Sequence, residues 1–387
     1  MRSSPLEGRP LRVAVVGIST DPSTCGVRDH AALLAAALGE RGIDCSLHWL
    51  TRERSSLTAS RAEVTGWARR LSQELAAEPP DLVLLHYSVF TYAHRGVPIF
   101  VRPTLAALRG LPIVTVLHEY AYPWGRAGLR GLVWAISQRA LLLGVVRASA
   151  ALVVTAEFRA RELAAKRWLP SRPTAVAPVF SNLPAAGPGA HAPRGAGEQP
   201  VLGLFGYASE GAALALALDA LRLLDGRGQA LGLRLLGAPG ADSSAGREWI
   251  AAAAERGIGR RLSFSGKLAA QALSDELAAC ELLLFADPSG PTSRKTTLAA
   301  SLASGSPLVA IDGPKRWAAL SEAQAARIVA PRADALADAL GELLGDAAAR
   351  AELGFRGADF ARREMALAPS AEIVAALLGR TLAERRG

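Results

Sequence analysis

Four residues with cationic or hydroxyl side chains stand together at the start of an apolar helical stretch, "TSRKTTLAASLASGSP" at 292–307; they are Arg294, Lys295, Thr296 and Thr297. Gly305 and Pro307 are typical of a helix end. The free N–H groups at the start of such a helix carry a partial positive charge and bind anions, and the two cations stand beside them. The stretch therefore predicts a diphosphate site, with a solvated basic helix start as the alternative. It is not a Walker loop, because counting from Gly290 puts Lys295 where the second glycine should stand.

Two histidines end apolar strand-like runs in the first half of the chain. In "TVLHEYAYPWG" at 115–125, His118 and Glu119 follow a very apolar segment, and His86 ends "DLVLLH" in the same way. Imidazole both donates and accepts hydrogen bonds at neutral pH, although a lone strand-end histidine also serves structure alone. We predict that His118 is catalytic, and that Glu119 and His86 lie beside it at the same cleft.

Gly26 and Lys267 complete the candidate donor-binding residues. Gly26 lies in "GISTDPSTCGVRDHAALLAAAL" at 17–38, between a strand and a helix, where it permits close approach of a ligand or serves only the turn. Lys267 directly follows "SFSG", another predicted strand end, and offers a further cation for a diphosphate.

Short apolar runs alternate with helical patterns and position these residues. The predicted strands are 11–17, 44–50, 81–87, 112–118 and 151–156, then 200–206, 231–237, 261–266, 281–287, 307–313 and 327–331. Such alternation predicts parallel sheets, so the fold class is α/β with two doubly wound, Rossmann-like domains. Ligands of these sheets bind outside the carboxyl ends of the strands, so the candidate residues should face a cleft between the domains.

The domain boundaries follow from composition. Residues 1–10 are expected to be a disordered N-terminus, 11–182 a first Rossmann-like domain, and 201–365 a second one. The stretch 183–200, "LPAAGPGAHAPRGAGEQP", is so rich in Pro, Gly and Ala that we interpret it as a linker. In 366–387, a helix with one apolar face is expected to return to the first domain; the face comprises Ile373, Val374, Leu377, Leu378 and Leu382.

Composition and charge narrow the class of protein. Half of the 387 residues are apolar and a fifth are charged, which is typical of a compact globular chain. Three scattered cysteines and a start without an apolar signal region favour the reducing cytosol. Residues 1–182 carry 22 Lys and Arg against 13 Asp and Glu, whereas 183–387 carry 22 of each. Without a nucleic-acid-binding module, this excess favours an anionic membrane or acceptor and no nucleic acid.

The apolar stretch 129–154 is interrupted by three arginines and is not expected to span a membrane. Its apolar residues at helical spacing predict a packed helix, with a helix on the membrane surface as the alternative; they include Leu132, Val133, Ile136, Ala140, Leu143 and Val146.

Taken together, these segments resemble the GT-B fold glycosyltransferases, and most of all glycosyltransferase family 4. "CGVRDHAALLAAALGERG" resembles the family's first loop and helix, "PIVTVLHEY" its strand ending in His and an acidic residue, and "LASGSPLVA" its Ala-x-Gly-x-Pro-Val-Val segment. The resemblance implies an acceptor-binding first domain, a second domain for a nucleoside diphosphate-sugar, and no metal or other cofactor. It also implies a glycan or lipid-linked acceptor, with Glu119 and His86 on the sugar or acceptor side. From the cysteines and the charge, we expect a cytoplasmic location, at the inner face of the membrane.

The chain departs from the family where two glutamates are usual, because Thr292 and Ala300 stand at those positions. The basic pair that commonly follows the first strand of the second domain is also absent, since "FGYASEG" stands there. "TSRKTTLAA" is similar to a variant Ser-x-Arg-Arg-Gly-Ser turn, which implies that Arg294 and Lys295 neutralise the leaving diphosphate. Two alternatives stay open: a binding or assembly protein that has lost catalysis, and a GT-B sugar-nucleotide epimerase.

Overall fold

A computed structural model describes the chain except for residues 1–8, 21–25, 122, 126–127, 191–198, 207–210, 238 and 387, and the side chains of 211–213 and 386. Most of the N-terminus that we expect to be disordered, 1–8, thus lies outside the described residues. The chain forms two compact units, which are Met1–Pro178 with Leu367–Gly387, and Val179–Ala366.

The first unit is built on a six-stranded sheet. Its strands are β1 Leu11–Ser19, β2 Ile43–Thr51, β3 Leu82–Ser88, β4 Ile113–Glu119, β5 Ser149–Val154 and β6 Thr174–Val176. Its helices up to this point are α1 Gly26–Gly39, α2 Leu57–Ala77, α3 Val101–Ala107, α4 Gly128–Ala148 and α5 Glu157–Ala164. All pairs are parallel, in the order β2-β1-β3-β4-β5-β6. The order reverses between β1 and β3, so a ligand of this sheet is expected beyond their carboxyl ends.

The second unit repeats this plan. Its strands are β7 Val201–Phe205, β8 Gly232–Leu236, β9 Leu262–Gly266, β10 Leu282–Phe285, β11 Leu308–Ile311 and β12 Arg327–Val329. Its helices are α6 Gly211–Gly226, α7 Ser244–Glu255, α8 Ala270–Ala278, α9 Thr296–Ala303, α10 Ala318–Glu322, α11 Ala333–Gly345 and α12 Ala347–Glu364. The parallel order β12-β11-β10-β7-β8-β9 reverses between β7 and β10.

The last helix, α13 Leu367–Arg386, belongs to the first unit. Its apolar side chains join the core on the α1 face of the first sheet; those that are buried include Ala371, Val374, Leu377 and Leu378. Ser370 Oγ donates to the carbonyl of Pro178 at 2.7 Å, which ties the start of α13 to the segment after β6. The far face of the sheet carries a separate core under α2 and α4.

The predicted α/β class and the eleven predicted strands are confirmed, and the three-residue strand β6 is the one that sequence patterning missed. Part of the predicted linker packs on the second unit: Ser274 Oγ donates to the carbonyl of Pro184, and the backbone N–H of Gly187 donates to Asp275. Residues 191–198 of that stretch lie outside the described part of the chain.

The packing of α4 differs from the prediction. Leu132, Val133 and Ile136, expected on a packed face, are 45%, 57% and 54% exposed. The buried face carries Gly131, Ala135 and Gln138 in this part of the helix instead. The reason is a close approach of the loop before α3, where Gln138 Nε2 donates to the carbonyl of Gly96 at 2.7 Å. Small residues and a polar anchor fill this contact, so the apolar residues point outward.

Candidate functional site

The first unit brings His86 and His118 together. His86 pairs in register with Val116 on the neighbouring strand β4, so His118, two residues further along, lies on the same face of the sheet. His86 Nδ1 and His118 Nε2 are hydrogen-bonded at 3.0 Å. His30 from α1 reaches the same place, with ring centroids 5.8 Å from His86 and 5.1 Å from His118. Sequence reasoning missed His30, because its helix position alone does not show which way it faces.

Burial keeps all three imidazoles uncharged at neutral pH. Burial lowers the pKa of His30 to about 4. It is also the main reason that the pKa of His86 lies well below its usual value, and the neighbouring His30 lowers it further. The pKa of His118 is lowered by burial first, then by His30, His86 and Arg159. A neutral imidazole with a low pKa is a weak base, so this cluster is suited to hydrogen bonding and to metal ligation rather than to proton abstraction.

His86 is fully buried, whereas His118 and His30 are partly exposed. His86 therefore positions His118 and is not itself accessible to a sugar. Its Nε2 atom is buried and has no hydrogen-bond partner among the described residues. The nitrogens that the three histidines can offer to a metal ion, one each, all lie within 4.8 Å of one another.

Trp49 covers the cluster from the neighbouring strand β2. Its indole crosses β1 directly over Gly17, where a Cβ atom would lie 2.2 Å from the ring. Trp49 Nε1 donates to Ser19 Oγ at 3.1 Å, and the ring centroid lies 6.2 Å from that of His86. Gly17 therefore allows an aromatic side chain to reach across the sheet to the histidines.

Glu119 is held by an ion pair. Arg159 Nη2 donates to Glu119 Oε2 at 2.6 Å, and Arg159 Nη1 donates to the backbone carbonyl of His118. Arg159 is 6% exposed and also lies over the ring of Tyr120. The guanidinium thus fixes the end of β4, and a carboxylate with a buried cationic partner is a poor general base. Arg159 was not predicted from the sequence.

Gly26 is the first residue of α1 and is exposed. A Cβ atom added there would meet no atom within 4 Å, so packing within the described chain does not require glycine. The turn before it, 21–25, lies outside the described residues.

In the second unit, Lys295 forms an ion pair with Asp287, which is the second residue after the end of β10. Burial acts to raise the pKa of Asp287, but hydrogen bonds from Lys295 and the backbone N–H of Ser289, with the charge of Lys295, outweigh it and lower that pKa. The ammonium therefore has a carboxylate partner before any ligand binds. This pair was not predicted.

The stretch that we predicted to bind a diphosphate lies at the point where the strand order of the second sheet reverses. Lys295 is the N-cap of α9, and Thr296 and Thr297 form the start of its first turn. Gly206, at the end of β7, lies against this turn, since a Cβ atom there would lie 2.7 Å from Thr297 Cγ2. Thr292 is 1% exposed, and its Oγ1 is buried without a hydrogen-bond partner among the described residues. The first N–H groups of α9 and this hydroxyl are available to a ligand.

Lys267 and Ala300 do not join this arrangement. Lys267 is exposed beyond the edge strand β9, two strands from β7, and the structure does not bring it to Lys295. Ala300 is 5% exposed in an apolar core beneath α9. The second position at which the resembling family carries glutamate is therefore used for packing.

No family model and no curated protein match this chain, but solved structures do. Sucrose-phosphate synthase from Thermosynechococcus elongatus is 15% identical with a TM-score of 0.71, over 97% of this chain and 100% of that one. HepE from Anabaena, in complex with UDP and glucose, is 15% identical with a TM-score of 0.66, over 96% and 100%. A UDP-N-acetylglucosamine 2-epimerase is 12% identical with a TM-score of 0.55, over 98% of each chain.

These structures share the two Rossmann-like units, whereas identities this low carry no information on individual site residues. The assignment to glycosyltransferase family 4 stays a prediction. The strand orders and the similarities together confirm that the chain has the GT-B fold.

Proposed function

We propose that the chain is a glycosyltransferase that moves a sugar from a nucleoside diphosphate-sugar to a hydroxyl of a glycan, lipid-linked or other anionic acceptor, with retention at the anomeric carbon. The observation that carries this proposal is a set of groups at the point where the order of the second sheet reverses. They are Lys295, the start of α9, and the hydroxyl of Thr292, which has no partner among the described residues. HepE, which shares the fold, was solved with UDP and glucose.

In this proposal the second unit stabilises the departing diphosphate. Its negative charge would be met by Lys295, Arg294 and the N–H groups of the first turn of α9, and no metal would be needed. Asp287 holds Lys295 in position and compensates its charge before the donor binds. A diphosphate carries more negative charge than one carboxylate, so it would draw the ammonium away from Asp287 or share it.

In the first unit, His118 would contact the transferred sugar or orient the acceptor. A retaining reaction needs no side-chain base, because the leaving phosphate can itself take the proton of the acceptor hydroxyl. That fits a site in which Glu119 is tied to Arg159 and burial lowers the pKa of His118. His86 would act through its hydrogen bond to His118.

The acceptor proposal is supported by α4. Its exposed face carries Leu129, Leu132, Val133 and Ile136, and the whole helix contains three arginines and no acidic residue. By length and composition, α4 and the segment Ala347–Arg385 could each cross a membrane, although the window in α4 is 39% buried within the protein. A partly buried helix with an apolar outer face and cations fits the surface of an anionic membrane instead. We propose that the protein acts at the cytoplasmic face of such a membrane.

Nucleoside diphosphate release tests the function. The chain is incubated with UDP-, GDP- and ADP-sugars, with and without a membrane extract as acceptor source, and free nucleoside diphosphate and the sugar are both measured. Acceptor-dependent release of one diphosphate supports the transferase. Binding of a nucleotide-sugar without turnover would instead support the alternative favoured by Thr292 and Ala300, a protein that has lost catalysis. Acceptor-independent conversion of the sugar would identify an epimerase, a function that this fold also hosts.

A further inference from the structure

Three imidazoles from three elements converge in the first unit, and the transfer reaction proposed above uses only one of them directly. His86 comes from β3, His118 from β4 and His30 from α1. They offer one nitrogen each within a span of 4.8 Å. Neutral imidazole is the commonest protein ligand of transition metals, and three imidazoles with an open fourth position are a known arrangement for zinc.

We propose that His30, His86 and His118 bind one divalent transition-metal ion of the zinc class.

The spacing of the nitrogens suits this ion. Bonds of about 2.0–2.1 Å in a tetrahedral zinc site separate the ligand nitrogens by about 3.3 Å. In the structure, His86 Nδ1 and His118 Nε2 are 3.0 Å apart, and no pair among the three ligand atoms exceeds 4.8 Å. His30 lies on a helix and its ring is partly exposed, so we expect a rotation of this side chain to close the longer distances.

A second observation points to a ligand. His86 is fully buried, yet its Nε2 atom has no hydrogen-bond partner among the described residues. A buried polar atom without a partner costs about 1–3 kcal/mol. An ion bound to His86 Nδ1 leaves this cost in place, so the unsatisfied Nε2 indicates that His86 is kept at this buried position for a role other than stability.

The surrounding charges permit a cation. Arg159, whose charge acts on His118, donates to the backbone carbonyl of His118 and is also paired with Glu119 at 2.6 Å, which compensates its charge. Access is from the side of His30 and His118, which are both partly exposed. An imidazole-only set favours zinc, cobalt, nickel or copper over magnesium or calcium, which prefer oxygen ligands.

Binding of the ion stands apart from the proposed function, but its effect on activity rests on that function. If His118 contacts the sugar, a metal on its Nε2 replaces the hydrogen bond with His86 that positions the ring, so the contact with the sugar is weakened. The site would then be inhibitory: zinc and turnover exclude one another, and removal of metal leaves transfer intact.

Direct titration tests the site. The untagged full chain, stripped with EDTA and dialysed, is titrated with Zn²⁺ by calorimetry and with Co²⁺ by visible absorption. We expect one Zn²⁺ per chain with micromolar or tighter affinity, and Co²⁺ bands of a four-coordinate nitrogen site. His30→Gln should lower the affinity for Zn²⁺ at least about tenfold, because replacing even a residue that only hydrogen-bonds to a metal ligand lowers metal affinity by about that factor. His48→Gln is the matched control, since His48 lies on β2 with Glu74 as its partner; it should bind as the parent does.

Absence of Zn²⁺ binding by the parent, or equal loss in the His30 and His48 variants, would overturn the proposal. His30→Gln is chosen because its partly exposed side chain can be replaced without opening the core, and circular dichroism checks the fold. Zinc binding without inhibition of transfer would support the metal site but contradict the proposed contact between His118 and the sugar. Loss of transfer on EDTA treatment would contradict two claims, that transfer needs no metal and that the ion is inhibitory. It would not contradict the binding of zinc by the three histidines.

Discussion

Lys295 is held at the start of α9 by an ion pair. Its ammonium is paired with Asp287, whose pKa stays low despite burial. A pair of this kind stabilises the folded chain only modestly, because both ions lose water. Its larger effect is to hold a cation at the start of α9 without accumulating charge there.

Replacement of Arg294 and Lys295 by Ala should lower the affinity for nucleoside diphosphate at least about tenfold. Each charge-assisted contact is worth about 1.5–3 kcal/mol, and about 1.4 kcal/mol is a factor of ten. Isothermal calorimetry with UDP, GDP and ADP measures the affinity of the parent and of the double variant. Arg362→Ala with Arg363→Ala removes the same charge from the exposed end of α12 and should leave affinity unchanged. Equal affinities in the double variant and the parent would mean that "TSRKTT" is only a solvated helix start.

His118→Ala should lower turnover by about tenfold or more while nucleoside diphosphate affinity stays close to that of the parent. The expected loss is that of one hydrogen bond to the reacting sugar, and the diphosphate contacts lie on the second unit. Steady-state kinetics and calorimetry on the same preparation separate the two quantities. His48→Ala, on β2 with Glu74 of α2 as its partner, is the control. A fall in diphosphate affinity with unchanged turnover would contradict the role given to His118.

The strand-end rule found His118 and His86 because the position of a residue at the carboxyl end of a parallel strand can be read from the chain. It did not find His30, since the direction in which a helical side chain points depends on how α1 packs on the sheet. Asp287 and Arg159 were missed for a related reason. Their partners are set by a loop turn and by a neighbouring helix, and no spacing in the sequence encodes either contact.

At the scale of elements, the side chain of Trp49 links three strands: it starts on β2, lies over Gly17 of β1 and reaches His86 of β3. Gly17 and Trp49 are paired in register, and the indole lies where a Cβ atom of residue 17 would be. The sequence pattern predicts each of these strands, but it does not predict that one side chain spans them.

Gly17→Ala should destabilise the chain by about 1–3 kcal/mol, because the new methyl group overlaps the ring and the surroundings must shift. The urea midpoint measures the change. Gly66→Ala is the matched control: it lies within α2, has only a distant arginine nitrogen near its Cβ position, and should stabilise by about 0.5–1 kcal/mol. Adding Trp49→Ala to Gly17→Ala should restore part of the lost free energy of unfolding. If the two losses are additive instead, the new methyl group does not clash with the indole ring.

Helix α4 was predicted as an element, yet the face predicted to be buried was wrong in its first half, whereas Val146 near its end is buried as predicted. Apolar residues lie almost all round this helix, so periodicity alone leaves two faces that could be buried. The close approach at Gly96 selects the face with small residues. The apolar side chains left outside are the basis of the membrane proposal.

Leu132→Ser with Ile136→Ser should reduce sedimentation with anionic vesicles about tenfold or more. Full burial of each side chain is worth about 1.5–3 kcal/mol, and surface cations add about 1 kcal/mol each near anionic lipid. Ile250→Ser with Phe355→Ser, equally exposed apolar residues of α7 and α12, provides the control. Equal sedimentation of the parent with neutral and anionic vesicles at low salt would remove the proposal.

At the scale of the whole molecule, the chain leaves the first unit at Pro178 and returns to it at Leu367. The second unit is therefore inserted between two parts of the first, and the first core is incomplete without the last twenty residues. The apolar spacing of 366–387 predicts a helix with a buried face, and α13 buries Val374, Leu377 and Leu378 against α1 and β5.

Leu378→Ala should therefore loosen the first unit and not the second, although residue 378 follows the second unit in sequence. Deletion of a fully buried leucine side chain costs about 2–5 kcal/mol. Hydrogen exchange followed by mass spectrometry should show faster exchange in α1, α13 and β1, while α11 and β10 keep the rates of the parent. Leu340→Ala is the matched change, since Leu340 is fully buried in α11 of the second unit, and it should give the reverse pattern. If Leu378→Ala instead accelerates exchange in β10 and α11 as much as in α1, α13 stabilises the second unit as well, and its assignment to the core of the first unit alone is wrong.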